Sequence, residues 1–112
     1  MEITHEKQDN LDVLKLSGRF DAACSKDFKK VIGALSDANS SRIVIDMSAV
    51  DFIDSSGLGC LVGALRTVNN LGGDIKICSL RPQIRAIFEL TRLHRVFAIF
   101  NDRAAAEKSF QN

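Results

Sequence analysis

The chain has 112 residues, enough for one domain with a single core and too few for a second. It is 46% hydrophobic and 26% charged, the profile of a globular domain and not of a disordered or fibrous chain. Fifteen basic against 14 acidic residues leave a net charge of +1, so no global field draws it to nucleic acid or an anionic membrane.

The amino terminus, MEITHEKQ, is polar and does not read as a targeting segment. Residues 2–7 suggest a first strand, with Gln8, Asp9 and Asn10 as a turn. A second strand follows from Leu11 to Leu16 and is expected to close at Gly18. From Asp21 the period changes. Cys24, Phe28, Val31, Ile32 and Leu35 follow helical spacing, with Asp21 or Ser25 as the cap and Asn39-Ser40-Ser41 as the stop. Ile43-Val44-Ile45 shows no polar alternation, as expected of a central strand covered on both faces.

Residues 51–57 read as a connection rich in Asp, Ser and Gly. A second helix then carries Leu58, Leu61, Val62, Leu65 and Val68 on one stripe and stops at Gly72-Gly73. Ile75–Cys78 is a strand, and Pro82 opens a third helix through Ile84, Ile87 and Phe88. Val96–Phe100 is a last strand and Asp102–Phe110 a short helix. The order β-β-α-β-α-β-α-β-α predicts one α/β domain over residues 1–112, with a mostly parallel sheet of four to five strands.

Cys24, Cys60 and Cys78 lie far apart in apolar stretches and form no metal-ligand spacing, so each is expected to be a free thiol in the core of a cytoplasmic protein. His5 and His94 fit no ligand spacing, and no apolar run approaches the ~20 residues of a membrane helix. No cofactor is expected. Arg81, Arg85, Arg92 and Arg95 recur near helical spacing, but without a basic balance or interleaved aromatics they suggest a solvated face or a dock for an acidic partner.

The informative stretch is 46–62, a buried strand, a loop and a helix start. Asp54, Ser55 and Ser56 have the side-chain oxygens that cap a helix. Gly57, Gly59 and Gly63 each cost roughly 1 kcal/mol relative to Ala inside a helix. Gly59 and Gly63, with Cys60 and Ala64, strip bulk from the face away from the leucine stripe. Such a face accepts either a neighbouring element or a partner. A phosphate on a serine at this helix start would meet a favourable dipole and free N–H groups. Read alone, these residues leave capping and docking both open.

Asp51-Phe-Ile-Asp-Ser-Ser-Gly-Leu-Gly59 resembles the signature of STAS-domain anti-sigma-factor antagonists. Gly18-Arg-Phe-Asp21, Leu71-Gly-Gly-Asp74 and the 81–91 segment are similar to further family positions, so the resemblance spans nearly the whole chain. It implies that Ser55 accepts phosphate from a GHKL-type serine kinase that doubles as an anti-sigma factor. A PP2C-type phosphatase would remove it. The unphosphorylated form would bind the kinase and the phosphorylated form let go. The resemblance marks Asp21 and Asp54 as contacts near the acceptor, Ser56 as capping or local support, and Gly57, Leu58 and Gly59 as the docking turn, with Gly63 one turn on. Arg19-Phe20 departs from the family, which often has an acidic residue before the hydrophobic one. The expected molecule is a monomer without enzymatic activity. The alternative reading is a STAS subunit of a lipid-transport ATPase, in which Ser55 need not be modified; an enzyme or nucleotide binder is weighed against it by the lack of a base or a phosphate-cradling motif.

Overall fold

A computed structural model describes residues 1–111 and places five strands in one sheet, in the order β1-β2-β3-β4-β5. β1 (Glu2–Gln8) and β2 (Leu11–Phe20) pair antiparallel across the Asp9-Asn10 turn. β3 (Arg42–Ile53), β4 (Asp74–Cys78) and β5 (Ala98–Phe100) then add in parallel. α1 (Ser25–Asp37), α2 (Ser55–Asn69) and α3 (Pro82–Leu90) connect the parallel strands, and α4 (Arg103–Ser109) ends the chain.

Each crossover steps the same way along the sheet, and right-handed crossovers therefore put α1, α2 and α3 on one face. Phe28 and Ile32 of α1, Leu61 and Leu65 of α2, and Ile84 and Phe88 of α3 bury against Leu14, Leu16, Ile43, Ile45, Ile75 and Ile77 of the sheet. The opposite face is covered more sparingly. There Ala106 of α4 packs with Leu11, Val13, Val44 and Cys78. Ile43-Val44-Ile45 accordingly serves both layers, which is why it shows no alternation.

The expected element order holds, and four boundaries move. β2 does not close at Gly18. It continues to Phe20, with Gly18 at φ +97° and register shifts on either side, so the extra twist of a bulge carries the strand onward. β3 therefore finds partners beyond residue 45: Phe52 pairs with Arg19 and Ile53 with Phe20. The connection expected over 51–57 shrinks to Asp54 alone. α1 begins at Ser25 and neither expected residue caps it: Cys24 holds the cap position without a side-chain bond, because residues 21–24 form a turn in which Cys24 N–H donates to the Asp21 carbonyl at 3.1 Å. β5 begins at Ala98, since a short 3₁₀ turn, Leu93–Arg95, precedes it.

Candidate functional site

β2 and β3 end side by side, and α2 starts one residue later. Asp54 makes that sharp exit possible. Its backbone is extended, its N–H donates to the Phe20 carbonyl at 3.3 Å, and its carboxylate accepts from Gly57 N–H at 3.0 Å. The carbonyl of Asp54 accepts from Leu58 N–H at 3.0 Å. One residue thus ties the end of β2 to the first turn of α2. A cap of this kind contributes about 1 kcal/mol.

Ser55 and Ser56 occupy the first two helical positions, and both are exposed. Capping, expected to be shared with Ser56, belongs to Asp54. This leaves Ser55 free at a helix start whose dipole favours an anion. Gly57 is the exception to the expected docking turn. It is buried, and a Cβ there would lie 2.4 Å from the Phe20 carbonyl oxygen and 2.8 Å from Ile53 Cγ1. Gly57 is glycine because β2 and α2 touch at this point, and its face points inward. Leu58 is half-buried and packs against the core, while Gly59 and Gly63 are exposed.

The small face of α2 is shared between an internal neighbour and solvent. Of the two readings left open for it, packing against a neighbouring element holds at Cys60 and Ala64, which are buried beside α1. Gly59 and Gly63, with Gly33 of α1, line an open groove of about 270 Å³ floored by Phe28, Ile32 and Cys60. A Cβ at any of these three glycines would meet nothing within 4 Å. Internal packing therefore does not require them.

Asp21 sits at the same end of the sheet, one residue past Phe20. Its Oδ1 accepts from Ala23 N–H at 3.1 Å and from the Cys24 thiol at 3.4 Å, while Arg19 Nε lies 3.7 Å from its other oxygen. The thiol hydrogen bond, helped by the Ala23 amide and the Arg19 charge, holds its pKa below the ordinary 3.8. Cys24 is thus not the core residue expected. It is half-buried at the start of α1, where its thiol also reaches the Arg19 carbonyl at 3.1 Å. Cys60 and Cys78 are buried as expected, and burial raises the Cys78 thiol to about 11.

Two features of this end were invisible in the sequence. The Arg19 guanidinium stacks 3.8 Å over the Phe52 ring, a contact created by the β2–β3 register. Gly33 faces Gly59 and Gly63 across the groove, although it lies on a different helix. His5 pairs instead with buried Asp12 at 2.6 Å, and His94 lies in the turn after α3, with Nδ1 3.3 Å from the Phe88 carbonyl. Among the described residues no group of three metal-ligating side chains converges, and no helix is long and apolar enough to cross a membrane. The four arginines do not lie on one helix: Arg81, whose Nε donates to the Ser48 carbonyl at 2.9 Å, precedes α3, Arg85 lies within it, and Arg92 and Arg95 lie beyond its end.

Residues 2–106 match the model of the STAS domain. The chain belongs to the STAS domain family. Among its relatives, a candidate anti-sigma factor antagonist of Bordetella bronchiseptica, BtrV, is 27% identical over 99% of this STAS domain and 96% of its own length. A crystal structure of a candidate anti-sigma factor antagonist from Thermotoga maritima superposes with a TM-score of 0.93 at 22% identity, covering 98% of this chain and 95% of that one. The phosphorylated form of the Bacillus cell fate determinant SpoIIAA superposes with a TM-score of 0.75 at 19% identity, covering 96% and 99%. The single α/β STAS architecture expected from the sequence is the one observed.

Proposed function

We propose that this STAS domain is an anti-sigma-factor antagonist switched by phosphorylation of Ser55. The observation that carries the proposal is the division of labour at the start of α2: Asp54 caps the helix and leaves the Ser55 side chain exposed at its first position. A kinase can take such a hydroxyl without unravelling the helix, and the dipole accepts the product. The similarity to proteins named as antagonists supports the same reading, as does the existence of a phosphorylated form of SpoIIAA.

In the unphosphorylated form, exposed Ser55, Ser56, Gly59 and Gly63, with Leu58, Asp21 and Asp54 beside them, present a low surface to a GHKL-type serine kinase that acts as an anti-sigma factor. Phosphate adds about −1.5 to −2 charges next to Asp54. At an effective dielectric near 20, two unit charges about 4 Å apart interact by about 4 kcal/mol, close to a thousandfold in affinity. One partner carboxylate near Ser55 would therefore suffice to drive release. A PP2C-type phosphatase would reset the switch. The domain itself performs no chemistry in this scheme: it is the substrate of both enzymes, works as a monomer and resides in the cytoplasm.

The test is calorimetric titration of Ser55→Ala and Ser55→Asp against the GHKL kinase with nucleotide present. The account expects tight binding of Ser55→Ala and weak binding of Ser55→Asp. Equal binding would overturn the phospho-switch, and capture of a lipid-transport ATPase in place of the kinase would assign the domain to a transporter.

A further inference from the structure

The parallel strands begin at one end of the sheet and Ser55 stands at the other, where β3 ends. α2 and α3 run back from the Ser55 end, so the α2–β4 turn and the α3–β5 connection both lie at the far end, at the starts of neighbouring strands. Among the described residues the exposed large hydrophobic side chains are Leu71, in the first of these loops, and Leu90 and Val96, in the second. Leu90 is 84% exposed and Val96 51%. Single exposed apolar residues are ordinary, but Leu90 and Val96 are exposed within one short connection, with Leu71 at the same end of the domain.

The charges beside Leu90 and Val96 are mainly basic. Arg92 and Arg95 are exposed in the same connection as Leu90 and Val96, with Glu89 as the acidic neighbour. Arg92 stands at φ +62°, in the left-handed region where glycine would be less strained. The loop therefore keeps a guanidinium where its backbone favours the loss of a side chain. A second copy of this domain would bring like charges together across a two-fold interface. An anionic membrane calls for clusters of about four to eight basic residues, more than this loop offers.

The geometry points to a second docking surface, formed by Leu90, Arg92, Arg95 and Val96 with Leu71 beside them, that takes an acidic, leucine-bearing segment of a partner protein. It lies at the end of the domain remote from Ser55 and works in either phosphorylation state. The STAS domain can then stay attached to one partner while its Ser55 end exchanges another.

Amide chemical shifts test this in the full chain, with a synthetic peptide that carries leucines at helical spacing among glutamates as the probe. Saturable shifts confined to residues 89–97 and 71 are expected, the same for Ser55→Asp. Replacing the glutamates by glutamine should weaken binding about tenfold. Arg92→Gly separates function from folding: it should raise the melting temperature by relieving the strained φ, and weaken the peptide about tenfold. Equal affinity of both peptides, or an unchanged affinity of Arg92→Gly, would overturn the proposal. So would shifts of 89–97 produced by phosphatidylserine vesicles but not by the peptide, or by raising the protein concentration alone.

Discussion

The two helices that start beside the end of β2 are built in opposite ways. α2 is nailed down: Asp54 caps it, Asp54 N–H holds the Phe20 carbonyl, and Gly57 presses against the same carbonyl. α1 has no side-chain cap at Cys24. Its start is held by softer bonds, the Asp21 carboxylate on the Ala23 amide and the Cys24 thiol on the Arg19 carbonyl. Behind that start, Phe28 of α1 packs on Phe20 of β2, 5.0 Å between ring centroids. The difference bears on the switch. The proposed phosphorylation of Ser55 would take place on the fixed frame that α2 supplies, whereas the start of α1 is less firmly anchored.

The largest effect should come from crowding the fixed frame. Gly57→Val would drive side-chain atoms into the Phe20 carbonyl and Ile53, costing about 3 kcal/mol in a urea titration and abolishing kinase binding with it. A wild-type midpoint would show that β2 and α2 are not in the contact described. Next in size is Ser55→Asp, which should leave stability near wild type and weaken the kinase about a hundredfold by calorimetry, against tight binding of Ser55→Ala.

Smaller changes sharpen the contrast between the helix starts. Asp54→Ala removes the cap and should cost about 1 kcal/mol, whereas Cys24→Ala should stay within about 0.5 kcal/mol, both read from urea midpoints. Equal costs would erase the distinction. Gly59→Ala and Gly63→Ala act in the other direction. With nothing within 4 Å of the new methyl groups, each should stabilise the domain by about 0.5–1 kcal/mol. If the glycines serve docking, the same variants should lose affinity for the kinase.

The smallest effect concerns Asp21. Its folded pKa lies below the ordinary 3.8, so its bonds support the fold above that value and are lost as pH falls through the lowered one. Asp21→Asn should therefore show a flatter stability curve below about pH 4 and converge with wild type in stronger acid. Parallel curves throughout would mean that the Cys24 thiol and the Ala23 amide do not favour the charged carboxylate.

The order of elements was legible because each helix shows its apolar period and each parallel strand its apolar run. The top of the sheet was not. Asp51-Phe52-Ile53 adjoins a run of Asp, Ser and Gly that reads as a turn, and only its pairing with Arg19 and Phe20 makes it strand. That pairing joins residues 33 apart, a separation no local pattern encodes. Ser55 could be found because its signature is contiguous. Gly57 carried a docking expectation, and the structure gives the glycine a separate reason in a carbonyl of β2. The groove was half visible in Gly59 and Gly63 and completed by Gly33 from α1.

The central claim is that the hydroxyl left exposed by the Asp54 cap is the one that carries the signal. Incubation of the protein with a GHKL-type serine kinase and ATP, followed by intact and peptide mass spectrometry, addresses it directly. The account predicts a single added phosphate, on Ser55, absent from Ser55→Ala and removed by the PP2C phosphatase. Phosphate on Ser56 or elsewhere, or none with an active kinase, would contradict it.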